Sequence, residues 1–356
     1  MDIRELMKKP ASWLSADGDE NEIVLSSRVR LARNLEGHRF THVAQSEELS
    51  AMLDRIREAA MATPQLSSGN YLAMGAVSTL NRQFLAERHL VSREFLFSSS
   101  NRGLVVNGDE DVCLMINEED HLRLQAYSAG LGLARAFERV DALDTALAPQ
   151  LEYAYSDRLG FLTACPTNIG TGLRASVLVH LPGLVHSKEI NKLLESLRQL
   201  HHSIRGLYGE GSEVLGNFFQ LSNSSTLGTS EEALVGGLRE MVVKVIGFER
   251  KARDMLFRKA RSLLEDKVWR AYGLLKHARS VSTKEALSLI SAVRLGIGVG
   301  IVEDMSLRSL NELLVYIQPA HLQMHAGKSL DTAERDVARA EFIRETLSRS
   351  RPQQEE

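Results

Sequence analysis

The chain has 356 residues, of which 44% are hydrophobic and 25% are charged, and its formal net charge is −3. This length suits one large or two modest domains with a substantial core. A charge this close to neutral gives no general attraction to nucleic acid, so direct DNA or RNA binding is not expected. No apolar run reaches membrane-spanning length, and the N-terminus has no signal-peptide core. The two cysteines, Cys113 and Cys165, fit a reducing cytosol, so we expect a cytoplasmic protein without membrane contact.

The first part of the chain mixes strand and helix signals. Residues 1–20 form a polar arm in which Trp13 and Leu14 are the only expected anchors. Alternating apolar and polar residues predict a strand over 22–34, and acids in the first turn support a helix over 46–61. A turn signal at 108–110 predicts a hairpin between strands 103–107 and 112–116. The remaining predictions are helices over 131–147 and 188–201, and strands over 158–164, 174–181 and 217–221.

From residue 230 the apolar residues recur with a helical period. Helices are predicted over 231–276, 283–295, 307–316 and 333–347, and the pairs Ser282/Glu285 and Asp331/Glu334 have capping-box spacing. We therefore predict an arm (1–20), an α+β domain (21–245), an all-helical domain (246–350) and a polar tail (351–356).

A cluster of acidic residues follows the strand predicted over 112–116. Residues 117–123 read Asn-Glu-Glu-Asp-His-Leu-Arg, and acids this close repel one another unless cations hold them ionised. Taken alone, the cluster is more typical of a solvated turn than of a functional site.

Three further segments supply cations and small residues. Arg28 and Arg30 lie on one face of the first predicted strand and could clamp a polyphosphate, although a solvent face is the simpler interpretation of this pair alone. The loop 165–174 carries glycines that permit close approach of a ligand, and Arg174 re-enters a strand beside it. Its Cys165 is either a buried structural thiol or, near several arginines, a thiol with some thiolate character. The loop 205–211 adds Arg205 and Glu210, although taken alone it is more typical of a simple surface loop.

Together these segments closely resemble the phosphagen (guanidino) kinase family. The matching segments, in the family's order and rough spacing, are 27–30, 117–123, 165–168 with 174–177, and 205–206 with 209–210. The resemblance covers roughly residues 22–248. It implies an α+β fold whose catalytic domain is an antiparallel sheet flanked by helices.

The resemblance also implies roles for individual residues. The ATP phosphates would be bound by Ser27, Arg28, Arg30, Arg123, Arg174 and Arg205, with Mg²⁺ carried by the ATP and no protein metal site. Glu119 and Glu210 would be the catalytic carboxylates that hold the acceptor guanidinium, with Cys165 against it. A guanidinium with a pKa above about 12 is a poor nucleophile, so a carboxylate must orient it and accept a proton. His121 would have a structural role.

Three departures separate this sequence from kinases of free arginine or creatine. Those enzymes have a small helical domain before the first Arg-Val-Arg motif, whose loop closes over the metabolite. Many of them have a second arginine where Tyr208 stands, and none has a comparable helical C-terminal half. These features resemble the bacterial protein-arginine kinases. That resemblance implies a homodimer and protein substrates with exposed arginines, including a heat-shock transcriptional repressor. It also implies a zinc-binding activator protein and a Clp-type AAA+ unfoldase.

The last predicted helix carries a run that resembles the phosphoarginine-recognition element of those kinases. Arg335, Asp336, Arg339 and Ala340 form it, and the two arginines are i, i+4 neighbours. By resemblance they would bind phosphoarginine allosterically, while spacing alone fits an exposed helix stripe equally well.

Two other functions stay open for the whole protein, a kinase of a free guanidino metabolite and a non-catalytic adaptor that binds phosphoarginine.

Overall fold

The computed structural model of the chain describes residues 3–96, 100–200, 202–206 and 215–349, without the side chains of Arg4 and Arg349. The chain divides into two compact units. The first contains Met1–Trp13, Ser26–Val177 and Ser222–Arg239, and the second contains Leu14–Leu25, Leu178–Leu221 and Glu240–Glu356. The units are thus interleaved along the sequence, and the domain division at residue 245 stays a prediction.

The described residues form ten strands and eleven α-helices. The strands are β1 Val24–Arg33, β2 Asn70–Ala73, β3 Gly103–Val106, β4 Val112–Ile116, β5 Leu122–Ala129, β6 Tyr155–Ser156, β7 Gly160–Phe161, β8 Leu173–His180, β9 His202–Gly206 and β10 Phe218–Asn223. The helices are α1 Ser46–Met61, α2 Thr79–Glu87, α3 Leu133–Leu147, α4 Pro182–His186, α5 Ile190–Gln199, α6 Glu231–Lys259, α7 Arg261–His277, α8 Thr283–Gly298, α9 Leu307–Tyr316, α10 Pro319–Ala326 and α11 Thr332–Arg349. No helix in this described part is both long and apolar enough to cross a bilayer.

The first unit is built on an antiparallel sheet. Within it the strands lie in the order β2-β3-β4-β5-β1-β8-β10, and every pair from β2 to β1 is antiparallel. Helix α3 packs against β5, and α1 packs against β3 and β4. This confirms the predicted α+β class with helices flanking an antiparallel sheet.

The register of β1 with β5 decides which side chains share a face. Arg28 lies opposite Tyr127 and Arg30 lies opposite Gln125, so the two arginines lie on the same face, as predicted. The other face of β1 carries Arg33, whose guanidinium donates to Asp144 on α3.

The second unit is mainly helical. Helices α7 and α8 make its most extensive helix pair, and α11 packs against α7, α9 and α10. The unit also contains the end of β8, most of β10 and the whole of β9, which lie in the order β8-β10-β9. Both predicted capping pairs are confirmed, since Ser282 accepts from the Glu285 amide and Asp331 exchanges two hydrogen bonds with Glu334.

Several predicted elements differ from the structure. The strand predicted over 158–164 is wrong, because only Gly160–Phe161 pairs with β6 and Gly160 has a positive φ of 73°. The single helix predicted over 231–276 is two helices, because the backbone leaves the helical region at Ala260 (φ −140°, ψ 36°). Trp13 and Leu14 are buried as predicted, but so are Ile3 and Leu6, so the arm has further anchors.

Candidate active site

Glu119 lies at the tip of the turn between β4 and β5. The turn is closed by the Asn117 amide, which donates to the His121 carbonyl at 2.9 Å. Asn117 adopts a φ of +57°, and its side-chain amide donates to the Leu49 and Asn101 carbonyls. The Glu119 carbonyl accepts from the Thr41 hydroxyl, while its side chain is exposed. The turn is therefore fixed through its backbone and presents one carboxylate to the outside.

Asp120 ties this turn to two other segments. Its Oδ1 accepts from Asn34 Nδ2 at 2.6 Å and from the Ala164 amide at 2.7 Å. The Asn34 carbonyl-type oxygen in turn accepts from the His121 amide at 2.9 Å. Burial raises the pKa of Asp120, although these donated hydrogen bonds oppose the change. Asp120 is thus a buried anchor rather than a second exposed carboxylate.

His121 has the structural role that we expected. It is fully buried, and its Nδ1 accepts from the Leu35 amide at 3.0 Å while its Nε2 lies 2.9 Å from the Arg39 carbonyl. Because Nδ1 accepts, the proton is on Nε2 and the ring is neutral. Burial also lowers the pKa of His121.

Glu118 holds Arg123. The two form an ion pair of 2.6 Å, and the Ser92 hydroxyl also donates to the same carboxylate. Burial disfavours the charged Glu118, but the Arg123 guanidinium and the donated hydrogen bonds outweigh it and lower the pKa. Glu118 therefore stays ionised beneath the turn.

Four arginines gather on one side of the first unit's sheet. Burial, followed by the positive charges of Arg28, Arg123 and Arg174, lowers the pKa of Arg30 well below its usual value. Arg174 donates to the Ser222 hydroxyl at 3.2 Å. Nothing among the described residues accepts a hydrogen bond from Arg30 Nε, which is shielded from solvent. Guanidinium groups that repel one another and keep an unused donor have the chemistry to bind a polyanion.

The arrangement fits ATP with Mg²⁺. A triphosphate would supply the missing acceptor for Arg30 and neutralise the cluster. A bare divalent cation would be repelled by four guanidinium groups, so Mg²⁺ would arrive on the phosphates. When bound there, it would add charge neutralisation during phosphoryl transfer.

The Glu119 carboxyl has the electrostatics of a proton acceptor. Partial burial raises its pKa, and the neighbouring Asp120 carboxylate adds to the effect, while Arg123 opposes it. A carboxylate with a raised pKa is a stronger base, and its exposure leaves room for an incoming guanidinium.

Cys165 lies beside the Asp120 anchor. It is half-buried, which excludes the fully buried thiol considered above, and its Sγ lies 3.0 Å from Thr167 Oγ1. Because the Ala164 amide donates to Asp120, a partly buried hydrogen bond lies next to both Cys165, which follows Ala164 in the chain, and Glu119, which precedes Asp120.

Not every predicted residue joins this group. Ser27 is fully buried on the opposite face from Arg28, and its hydroxyl donates to the Gly130 carbonyl at 2.8 Å. Arg205 lies half-buried on β9 in the second unit. Glu210 and Tyr208 lie outside the described residues. The ATP-binding roles of Ser27 and Arg205 and the catalytic role of Glu210 stay predictions.

The predicted phosphoarginine element lies in the first turns of α11. Arg335 is half-exposed and donates to Thr332 Oγ1 at 3.1 Å. Arg339 is 1% exposed and donates to the carbonyls of Ile317 and Val281 and to Asp336. Ala340 is buried. Arg335 is thus the accessible cation of the element, and Arg339 fixes Asp336.

Sequence reasoning missed three residues that position the site: Asn34, Glu118 and Asp120. The sequence shows the acidic run Glu118-Glu119-Asp120. It does not show that the turn buries Glu118 and Asp120 and exposes Glu119.

Comparisons with known proteins place this geometry in a family. Residues 51–252 match the model of the ATP:guanido phosphotransferase C-terminal catalytic domain, and residues 261–356 match that of the Protein-arginine kinase McsB C-terminal domain. A protein-arginine kinase of Pelotomaculum thermopropionicum is 42% identical over 97% of this chain and 98% of its own. One from Geobacillus stearothermophilus is 44% identical over 95% of this chain and 93% of its own. The crystal structure of lombricine kinase has a TM-score of 0.59 at 28% identity, covering 70% of this chain and 75% of that one.

Fold, motifs and family models together define an ATP:guanido phosphotransferase, a class of kinase whose phosphoryl donor is ATP. Because the similarity to the bacterial relatives extends over nearly the whole of both chains, this chain belongs to the protein-arginine kinases.

Proposed function

We propose that this kinase transfers the terminal phosphoryl group of Mg-ATP to arginine side chains displayed on other proteins. The observation that carries the proposal is Glu119, an exposed carboxylate with a raised pKa beside a cluster of guanidinium groups. An exposed base at the tip of a fixed turn can reach a side chain presented on a folded surface.

The arginine cluster would bind and align the triphosphate. Arg28, Arg30, Arg123 and Arg174 are the described members, and Arg205 is the proposed fifth. Phosphoryl transfer needs in-line alignment and charge neutralisation more than covalent help from the protein. Arg30, which is repelled by the other three arginines, would gain a counter-charge when the phosphates arrive.

The carboxylates would prepare the acceptor. Glu119, together with Glu210, would orient the guanidinium and accept its proton as the N–P bond forms and the bond from the terminal phosphorus to the ADP oxygen breaks. Cys165 would pack against the same guanidinium.

A kinase of a free guanidino metabolite is the alternative. Lombricine kinase matches 70% of this chain at 28% identity, whereas proteins named protein-arginine kinase match 95–98% at 42–44%. The coverage of the helical C-terminal residues favours a protein substrate. Incubation with ATP and free arginine should yield no phosphoarginine; robust product would favour the metabolite.

The decisive experiment combines the chain, ATP, Mg²⁺ and a basic protein, with acid-labile phosphate mapped by mass spectrometry. Phosphate on arginine is expected, and phosphate only on hydroxyl residues would refute the proposal. Glu119→Gln should abolish labelling, while Glu36→Gln, an exposed glutamate of the same unit, should not change it. This pair also tests the adaptor alternative, since an adaptor labels nothing.

The α11 element is proposed to bind phosphoarginine allosterically. Arg335 would meet the phosphate near a helix N-terminus, and Asp336, held by Arg339 at 2.5 Å, would meet the guanidinium. Arg335→Ala combined with Asp336→Ala should remove both phosphoarginine binding and activation. If both persist, the element is structural.

The wider role is also a proposal, supported by the resemblance to stress-linked protein-arginine kinases. Phosphorylation replaces a positive charge with a negative one, so a heat-shock repressor would lose arginine contacts to DNA phosphates. Marked proteins would pass to a Clp-type AAA+ unfoldase, a zinc-binding protein would activate the kinase, and the enzyme would act as a cytosolic homodimer. A test is to phosphorylate a DNA-binding repressor with this kinase and measure loss of operator binding, with Glu119→Gln as control.

A further inference from the structure

Arg28 is held by a neutral group rather than by a carboxylate. Its Nη1 donates to the Tyr127 hydroxyl at 3.1 Å, and its Cζ lies 5.7 Å from the centre of that ring. Among the described residues, this hydroxyl is the side-chain group that accepts a hydrogen bond from Arg28. Arg123 differs from Arg28 in this respect, because the Glu118 carboxylate neutralises its charge in an ion pair.

The Tyr127 hydroxyl uses both of its hydrogen-bonding capacities. It accepts from Arg28 and donates to the His89 carbonyl at 2.9 Å. The same carbonyl accepts from Gln125 Nε2 at 3.0 Å, so its position is fixed twice. Tyr127 is buried, and burial raises the pKa of its phenol, which therefore keeps the proton that it donates.

Trp13 of the N-terminal arm covers the Tyr127 ring. The two rings stack with centroids 5.6 Å apart and an interplanar angle of 24°. Trp13 also meets the His89 ring edge-on at 5.7 Å. Trp13 is 3% exposed, so the packing leaves the phenol little freedom to turn away from Arg28.

We propose that Tyr127 is a positioning residue for nucleotide binding, which fixes Arg28 without cancelling its charge and is itself fixed by Trp13. A carboxylate in its place would hold Arg28 equally well but would compete with the phosphates for it. A phenol supplies the anchor and leaves the remaining donors of the guanidinium for phosphate oxygens. The inference rests on the phosphate-binding role proposed above for Arg28.

Tyr127→Phe in the full-length kinase tests it. The loss of one hydrogen bond to a charged group predicts a rise in KM for ATP of roughly tenfold. KM for the protein acceptor should stay unchanged, and the dissociation constant of Mg-ADP from calorimetry should rise in parallel. The matched control is Tyr71→Phe on β2, a tyrosine of the same unit whose ring lies 5.3 Å from the Arg57 guanidinium, outside the cluster.

Tyr127→Phe retains the ring on which Trp13 stacks. The fluorescence emission of Trp13, measured in a Trp269→Phe background, reports whether this stacking is intact. If KM for ATP rises in Arg28→Ala but not in Tyr127→Phe, the positioning role of Tyr127 is refuted while the proposed phosphate site still stands. If Arg28→Ala itself leaves KM for ATP unchanged, the proposed phosphate site is wrong. An equal rise in the KM values of ATP and acceptor would mark Tyr127 as structural and also overturn the inference.

Discussion

Asp120 Oδ1 and the backbone amide of Ala164 form a partly buried hydrogen bond of 2.7 Å. Glu119 precedes Asp120 and Cys165 follows Ala164 in the chain, so this bond joins the segments that carry the proposed base and the thiol. Asn34 donates to the same oxygen at 2.6 Å. The Asp120 carboxylate therefore fixes the positions of Glu119 and Cys165, the two proposed contacts of the acceptor guanidinium, relative to each other. It does so without touching the substrate.

Asp120→Asn should slow catalysis without unfolding the protein. The Oδ1 of an asparagine could still accept from both donors, but an uncharged amide oxygen makes weaker hydrogen bonds than a carboxylate oxygen does. We expect kcat to fall about tenfold, in line with the loss of a bond to a charged group. Steady-state kinetics check this, with Asp109→Asn as the control, since Asp109 is exposed and forms an ion pair with the exposed Lys9. Equal kcat in both variants would contradict the anchoring role.

The pH dependence of activity should report Glu119. The pKa of its carboxyl is raised above 4.5 by partial burial and then by Asp120. The base must be ionised to act, so activity is present above the raised pKa and is lost as the pH falls through it. The acid limb of kcat/KM should therefore lie above pH 4.5. Initial rates of ADP release would show it. In Asp120→Asn the limb should move to lower pH, and an unmoved limb would assign it to another group.

Arg30→Met should stabilise the nucleotide-free protein while weakening nucleotide binding. Arg30 is disfavoured by burial and by three like charges, and its Nε lacks an acceptor among the described residues. Its removal should gain on the order of 1 kcal/mol, or about 2–4 °C in Tm, as the repulsion disappears. Thermal melts with and without Mg-ADP measure both effects. Arg158→Met, at an exposed position of the same unit, should change neither. A lower Tm in Arg30→Met would show that the cluster is not strained.

The elements with a clean local period were predicted well. Strand β1, helix α1 and helix α9 lie within two residues of where the patterns placed them, because their apolar residues recur at the period of the element. Strand β5 was not predicted, because its first residues belong to the charged run 117–123, which has the composition of a turn. The break at Ala260 has no glycine or proline beside it, so the sequence pattern did not predict it.

The sequence named candidate residues for the site but did not predict which of them lie together. Motif resemblance brought out Glu119 and the arginines, and the structure gathers Arg28, Arg30, Arg123 and Arg174. Which acid is exposed depends on the pairing of β4 with β5, a long-range property that a linear pattern does not contain. For the same reason Tyr127, lying opposite Arg28 on the neighbouring strand, carried no signal in the sequence.

The two arginines of the α11 element should respond differently to the same substitution. Arg339→Met leaves the carbonyls of Ile317 and Val281 without their donor and should destabilise the helical unit by about 3 kcal/mol. Arg335→Met, at a half-exposed position bonded only to Thr332 among the described contacts, should change stability by less than about 0.5 kcal/mol. Urea unfolding followed by circular dichroism compares them. Loss of phosphoarginine binding in Arg335→Met at unchanged stability would support direct contact with the ligand. Equal stability of the two variants would contradict the buried role of Arg339.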